Sequence, residues 1–305
     1  MTDERRGVLF GIAAYSMWGL FPLYFPLLEP AGAVEIVAHR IVWSLVAILG
    51  ILAFTVGFDS IRAVLRDRRR VGLLALAAAL VGVNWAIYIY AVNSEHVIEA
   101  ALGYFINPLV SVAFGLLVFR ERLRPWQTAA IGLGTIAVIV LTLDYGRLPW
   151  IALTLAVTFG SYGLVKKIAN VGAAESLGIE TLVLLTPALG YLIALELSGS
   201  GTFGHESAGH TLLLAAAGPV TAAPLLFFSG AVTRIPLSLM GLLQYITPVL
   251  QFLVGLLVFG EDMPPTRWIG FGLVWLALAI LSVDGLRAAR RSRSTATAEP
   301  VLAEL

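Results

Sequence analysis

The feature that most constrains this chain is a series of apolar segments, each about 20 residues long, that recurs from end to end. A helix needs about 20 mostly apolar residues to cross the hydrocarbon core of a bilayer. Because 59% of the residues are hydrophobic and only 13% are charged, a single soluble core could not bury the apolar surface. We therefore predict an all-α membrane protein with ten transmembrane helices. The predicted spans are 7–28, 35–57, 71–92, 97–119, 125–143, 148–167, 175–197, 211–231, 236–259 and 266–286.

The basic residues are distributed unevenly between the loops that these spans would create. With the N terminus inside, the 20 Lys and Arg all lie inside except Arg147 and Arg267, which lie outside, and Arg40, which lies within the second span. An excess of Lys and Arg in the cytoplasmic loops is the usual pattern of multi-pass proteins. The distribution predicts a multi-pass protein of the inner membrane with both termini in the cytoplasm.

Two stretches of the sequence match each other at an offset of 140 residues. Residues 105–125 read FINPLVSVAFGLLVFRERLRP, and residues 245–265 read YITPVLQFLVGLLVFGEDMPP. Nine aligned positions are identical, and they include Pro108 and Pro248. A proline inside a helix removes a backbone hydrogen bond, so the two prolines predict matched weak points in the fourth and ninth spans.

The repeat predicts the organisation of the chain. Each half would hold five spans, and because five is odd the halves would insert in opposite directions. We predict two inverted five-helix repeats, at 1–144 and 145–287, followed by a disordered cytoplasmic tail at 288–305. Inverted repeats are typical of secondary transporters, in which one half rocks against the other around a central site.

Charged residues inside the predicted spans are candidates for function, because a charge in the bilayer is costly unless it is paired or faces a cavity. Their depths predict an outer pair of Arg40 with Glu99 and an inner pair of Lys166 or Lys167 with Glu180. A purely structural ion pair is the alternative for Arg40. Extension of its amino group to the membrane surface is the alternative for Lys166.

Amides and aromatic rings of several spans also fall at mid-membrane depth. His39, next to Arg40, is a candidate for carrying protons, with packing or capping as the alternative. The remaining polar candidates predict a cavity for an organic solute, cationic or aromatic, with lipid-facing packing as the alternative for any single ring. These candidates are Asn84, Trp85, Tyr88, Tyr104, Asn107, Gln244 and Tyr245.

Motifs of other function classes are missing from the sequence. There is no cysteine, and no P-loop, HExxH or GxSxG motif occurs. The GxGxxG pattern at 199–204 follows a predicted span rather than a strand, so we interpret it as part of a linker. We therefore expect no enzymatic activity, no cofactor, no metal site and no nucleic-acid partner. The expected partners are a small-molecule solute and membrane lipids.

Several longer motifs resemble the RarD group of the EamA family, in the drug/metabolite transporter superfamily. The most specific are AAYSMWGLFPLYF at 13–25, AHRIVWS at 38–44 and the stretch from VNW to FINPLV at 83–110. LVKK, IET and LLQYITP add to the resemblance, which covers nearly the whole chain. It implies the ten-helix inverted-repeat fold and a solute carrier of the inner membrane. The group is named for chloramphenicol sensitivity, which does not establish a substrate.

These observations predict a secondary transporter that moves a small organic metabolite or drug by alternating access, with export as the direction considered. A membrane channel and a membrane-embedded lipid-handling enzyme are the alternatives. An enzyme would need a catalytic constellation near the bilayer surface, and the sequence offers none. The matched prolines favour a carrier over a channel. The sequence leaves open the substrate, the direction, proton or ion coupling, and the oligomeric state.

Overall fold

The computed structural model describes residues 3–54, 62, 64–119, 124–171, 173–232, 234–235, 240 and 243–298. Within these residues the chain is helical, and no β-strand occurs. The α-helices are α1 (Asp3–Gly19), α2 (Ala33–Phe54), α3 (Arg68–Asn93), α4 (Val97–Phe119), α5 (Pro125–Tyr145), α6 (Trp150–Ala169), α7 (Ala173–Ser198), α8 (Ala208–Val232), α9 (Ile246–Leu257) and α10 (Pro265–Ala298). Two short 3-10 helices, Phe21–Leu23 and Phe25–Leu28, follow α1.

Seven of the described helices are long and apolar enough to cross a membrane: α2, α3, α4, α5, α7, α8 and α10. An eighth span results if α1 and the 3-10 segment Phe21–Leu28, which meet at a bend of 40°, are counted together. Pro22 and Pro26 open the two 3-10 helices, and a proline cannot donate the backbone hydrogen bond that would continue α1. The apolar parts of α6 and α9 are shorter. The fold is therefore that of a multi-pass helical membrane protein.

Corresponding helices of the two halves begin 140 residues apart, the offset of the sequence repeat. This holds for α2 and α7, for α3 and α8, and for α5 and α10. The helical packing follows the same relation. If the helices of each half are numbered in order, the α3–α6 and α4–α6 contacts correspond to α8–α1 and α9–α1, and α2–α8 corresponds to α7–α3. Three more contacts, α2–α7, α4–α9 and α5–α10, join a helix to its own counterpart.

Two glycines allow these helices to cross closely. A Cβ atom added to Gly218 of α8 would overlap the backbone of Trp43 in α2. A Cβ added to Gly103 of α4 would lie 2.7 Å from the carbonyl oxygen of Ala152 in α6. Small residues at helix crossings are a common device of membrane proteins, since they let two backbones approach. The crossing at Gly218 joins the two halves beside the site described below.

The predicted limits of the halves and of the tail stay predictions. Helix α10 continues to Ala298, so helical backbone extends beyond residue 287, where the disordered tail was predicted to begin. Residues 299–305 lie outside the described part of the chain.

Candidate functional site

A narrow cavity lies between α2, α3, α7 and α8. Its atom-free volume is about 350 Å³, but little more than a water molecule would fit within it. Most of its lining is apolar, and the polar contributions come from Ser44, Glu180, Thr181 and Thr221, with Trp85 closing one side. The four helices are two pairs of counterparts at the 140-residue offset. The cavity therefore lies where the two halves of the chain meet.

Arg40 of α2 lies beside this cavity and is 4% exposed. Its Nε donates a 2.7 Å hydrogen bond to Oγ1 of Thr221, and its guanidinium carbon lies 4.3 Å from the centroid of the Trp85 ring. Both of these neighbours line the cavity. Nη1 of Arg40 is buried and has no hydrogen-bond partner among the described residues. The sequence therefore placed a charged group correctly at the centre of the fold.

The predicted ion pair between Arg40 and Glu99 is wrong. Glu99 is paired with Arg147, whose Nη2 lies 2.7 Å from Oε2 and whose Nη1 donates to Oε1 at 3.3 Å. The backbone N–H of Ile151 also donates to Oε1 at 3.2 Å. Helix α4 packs on α6, which brings Glu99 to the start of α6 rather than to the middle of α2. Glu99 thus belongs to a structural ion pair and does not line the cavity.

The predicted pairing of Lys166 with Glu180 is confirmed. Nζ of Lys166 lies 2.7 Å from Oε1 of Glu180 and donates a further 2.6 Å hydrogen bond to Ser176. Tyr162 donates to the other carboxylate oxygen at 3.0 Å. The amino group is held by these bonds instead of extending to the membrane surface. The side chain of Lys167, the alternative partner, lies outside the described part of the structure.

Asn84 joins three helices. Its Nδ2 donates to the carbonyl of Leu155 at 3.1 Å and to Thr158 at 2.9 Å, and its Oδ1 accepts from Tyr104 at 3.2 Å. The rings of Tyr104 and Tyr88 lie 5.7 Å apart, so Asn84 and Tyr88 share one face of α3, as their spacing predicts. With its amide fully bonded and 1% exposed, Asn84 braces α3 against α4 and α6.

His39 does not point into the cavity. Its ring stacks on Phe203 at 4.7 Å, in the segment that follows α7. In the same region Oε1 of Glu35 accepts hydrogen bonds from the backbone N–H and the hydroxyl of Thr202, at 2.8 and 2.9 Å. The segment interpreted as a linker is therefore folded onto α2. This arrangement supports the packing role for His39.

Three other predicted residues lie away from the cavity. Asn107 is half-buried and accepts a 3.2 Å hydrogen bond from Ser111 within α4. Gln244 is exposed, and Tyr245 packs against the apolar cluster that contains Phe252. Their role in binding a solute stays a prediction. No group of three His, Asp or Glu that could hold a metal ion occurs among the residues the structure describes.

The sequence analysis gave no role to Glu261, which lies between α9 and α10. Its two carboxylate oxygens accept the backbone N–H groups of Val97 and Ile98 at the start of α4. Burial raises the pKa of Glu261 from 4.5 to about 7, against the opposing effects of these two N–H groups and of Arg267. Glu261 thus closes the N-terminus of a helix in the other half of the chain.

We expect Glu261 to make the protein less stable as the pH rises from about 5 to 7. With a raised pKa, the folded state binds the proton more tightly than the unfolded state in this window, so raising the pH favours unfolding. Glu261→Gln keeps an acceptor and removes the titration. The melting temperature of the variant, measured across this pH range, should fall less than that of the wild type. Equal slopes for the two proteins would contradict this assignment.

Comparisons with known proteins agree with this geometry. The sequence model of the EamA-like transporter family matches residues 5–143. A protein named RarD from Streptomyces exfoliatus is 57% identical over 305 residues, covering 99% of this chain and 96% of that protein. The chain belongs to the RarD group of the EamA-like transporter family. Protein RarD of Escherichia coli strain K12 and the uncharacterized transporter YojE of Bacillus subtilis are each 40% identical, over 95% and 96% of this chain and 98% and 99% of theirs.

A solved crystal structure supports the fold alone. It superposes with a TM-score of 0.58 and covers 90% of this chain and 96% of that one, at 20% sequence identity. Membership of the family, together with the apolar helices, makes this chain a multi-pass membrane protein of a transporter family.

In this RarD-group chain, sequence reasoning overlooked several residues around the cavity. Ser44 follows Arg40 by one helical turn, so helical spacing could have indicated it. Arg40 and Glu180 are themselves 140 residues apart and therefore occupy equivalent positions in the two halves. That relation was readable from the repeat. Thr221 carried no comparable signal, since its contact with Arg40 depends on how α8 packs on α2.

Proposed function

We propose that this chain is a secondary transporter that carries a small organic solute across the inner membrane by alternating access. The observation that supports this most directly is the position of the cavity, between α2 and α3 of one half and their counterparts α7 and α8. Transporters built from repeats hold their solute at such an interface, near the middle of the membrane. The equivalent positions of Arg40 and Glu180 place one charged group from each half beside this space.

The proposed topology has ten spans in two inverted five-helix repeats, with both termini in the cytoplasm. In it, α1 with its 3-10 extension forms the first span, and α6 and α9 form the sixth and ninth. The common offset of the helix starts and the corresponding helix contacts support the repeat. The placement of almost all basic residues on one side supports the orientation.

The proposed mechanism uses the narrowness of the cavity in this conformation. A solute would enter when the two halves tilt apart on one side of the membrane, and it would leave when they tilt apart on the other. Pro108 and Pro248 lie inside α4 and α9, which contact each other across the halves. Both prolines weaken their helices at matched positions, where bending would accompany the tilt. Export is the proposed direction.

The proposal is tested by counterflow. Purified protein is reconstituted into liposomes loaded with an unlabelled pool of small metabolites, and an isotope-labelled pool of the same composition is added outside. A carrier exchanges internal for external solute, so mass spectrometry should find saturable entry of label for a small set of compounds, which protein-free liposomes lack. Passage that does not saturate and needs no internal solute would indicate a channel. Conversion of a compound into another would indicate an enzyme, and no movement of any compound would contradict transport.

A further inference from the structure

Arg40 differs from the other buried or partly buried basic residues near the helices. Arg147, Lys166 and Arg267 each lie within 3 Å of a carboxylate oxygen, at 2.7, 2.7 and 2.9 Å, although their side chains are 38%, 24% and 18% exposed. Arg40 is 4% exposed and forms no ion pair with any described residue. The most deeply buried of the four cations is thus the one without a counter-charge.

The neighbours of Arg40 compensate its charge only in part. Thr221 accepts one hydrogen bond from Nε, and the rings of Trp85, Phe21 and Phe25 lie 4.3 to 5.5 Å from the guanidinium carbon. Aromatic faces attract a cation, but they accept no conventional hydrogen bond from Nη1, which stays unpaired. A cation in a membrane interior is costly unless an anion accompanies it. The site therefore has an unmet need for negative charge.

The polar groups on the cavity side favour an anion as well. Oγ of Ser44, one turn beyond Arg40 on α2, lines the cavity and has no hydrogen-bond partner among the described residues. Glu180 also lines the cavity, but Lys166 already neutralises it at 2.7 Å. The charges of Arg40, Lys166 and Glu180 together leave the site with one excess positive charge.

We infer that the transported solute is an organic anion, a carboxylate with a flat apolar body, and that its carboxylate binds Arg40. A guanidinium can donate two parallel hydrogen bonds to a carboxylate, which Thr221 and the free Nη1 orient it to do. The ring of Trp85 and the apolar lining at Ile41 and Leu184 receive the body. This inference rests on the proposed transport function and replaces the expectation of a cationic solute.

The test compares three probes that share one body and differ in charge: 3-phenylpropionate, 3-phenylpropanamide and 3-phenylpropylamine. Each is titrated against the full chain in lipid nanodiscs, and affinity is taken from the rise of the melting temperature with probe concentration. We expect the carboxylate to bind roughly tenfold more tightly than the amide or the amine, since only it provides a charge-assisted pair. In Arg40→Gln the carboxylate and the amide should bind within about twofold of each other.

Two further variants keep the test decisive. Arg40→Lys retains the charge without the fork, so it should keep part of the preference even if Arg40→Gln does not fold. Arg69→Gln removes an exposed arginine far from the cavity and should keep the full preference. Equal binding of the amide or the amine, no binding of the carboxylate, or an undiminished preference in both Arg40 variants would overturn the inference. The counterflow experiment separates the two claims. Exchange restricted to neutral or cationic compounds would overturn the inference and leave transport standing, whereas no exchange at all would overturn transport.

Discussion

Gly218→Ala should prevent the protein from accumulating in a folded form in the membrane. The added methyl group would overlap the backbone of Trp43 as well as its Cβ atom. A backbone cannot move aside as a flexible side chain can, so α8 would have to shift away from α2 along the crossing. Overpacking in a core costs about 1–3 kcal/mol when side chains can adjust, and we expect a larger cost here. The measurement is the yield of monodisperse protein after extraction in mild detergent.

The matched control is Gly190→Ala in α7. No atom lies within 4 Å of a Cβ placed at Gly190, so this variant adds a methyl group to a helix of the same half without a clash. Alanine is also the better helix former, and the control should be as stable as the wild type or more so. Equal yields for Gly218→Ala and Gly190→Ala would show that α2 and α8 do not cross as closely as described.

Arg147→Ala should destabilise the protein by about 3 kcal/mol, and clearly more than Glu99→Gln. The Glu99 side chain is 2% exposed, so removal of Arg147 leaves a buried carboxylate with the single N–H of Ile151 as its partner. Removal of one partner of a buried pair costs about 3–5 kcal/mol, and the 38% exposure of Arg147 places this pair at the low end.

Glu99→Gln has a milder expected effect, because the amide oxygen still accepts from Ile151 and the freed Arg147 can turn to water. The double variant should resemble Glu99→Gln alone, since the stranded charge no longer exists. Unfolding free energies in mixed micelles measure all three proteins. If the two single substitutions have equal effects that add in the double variant, Glu99 and Arg147 do not form the described pair.

The helical elements were largely predictable from the sequence. The spans predicted at 97–119 and 125–143 correspond to Val97–Phe119 and Pro125–Tyr145, because a bilayer sets both the apolar content and the length of such segments. The first and ninth spans were less predictable. Pro22 and Pro26 convert the end of the first span to 3-10 turns, and α9 is described for only 12 residues.

The contacts within the candidate site were predictable only in part. Lys166 and Glu180 lie at similar depth on adjacent helices, so depth alone gave the correct partner. For Arg40 and Glu99, depth gave a wrong partner, because it does not specify the direction in which a helix face points. Arg147 was counted as a loop residue, and its contact with Glu99 arises from the packing of α4 on α6. Offset 140 carried unused information, since it relates Arg40 to Glu180.

The account's central claim is that the solute passes through the cavity between the two halves, and a pair of adjacent substitutions tests it most directly. Leu225 of α8 lines the cavity, whereas its neighbour Leu226 is 52% exposed on the outer surface of the helix. Leu225→Trp should fill the cavity and abolish counterflow, and Leu226→Trp should leave it at the wild-type rate, with both variants folded to the same extent. Undiminished counterflow in a folded Leu225→Trp protein would contradict the claim, because the solute would then have to follow another path.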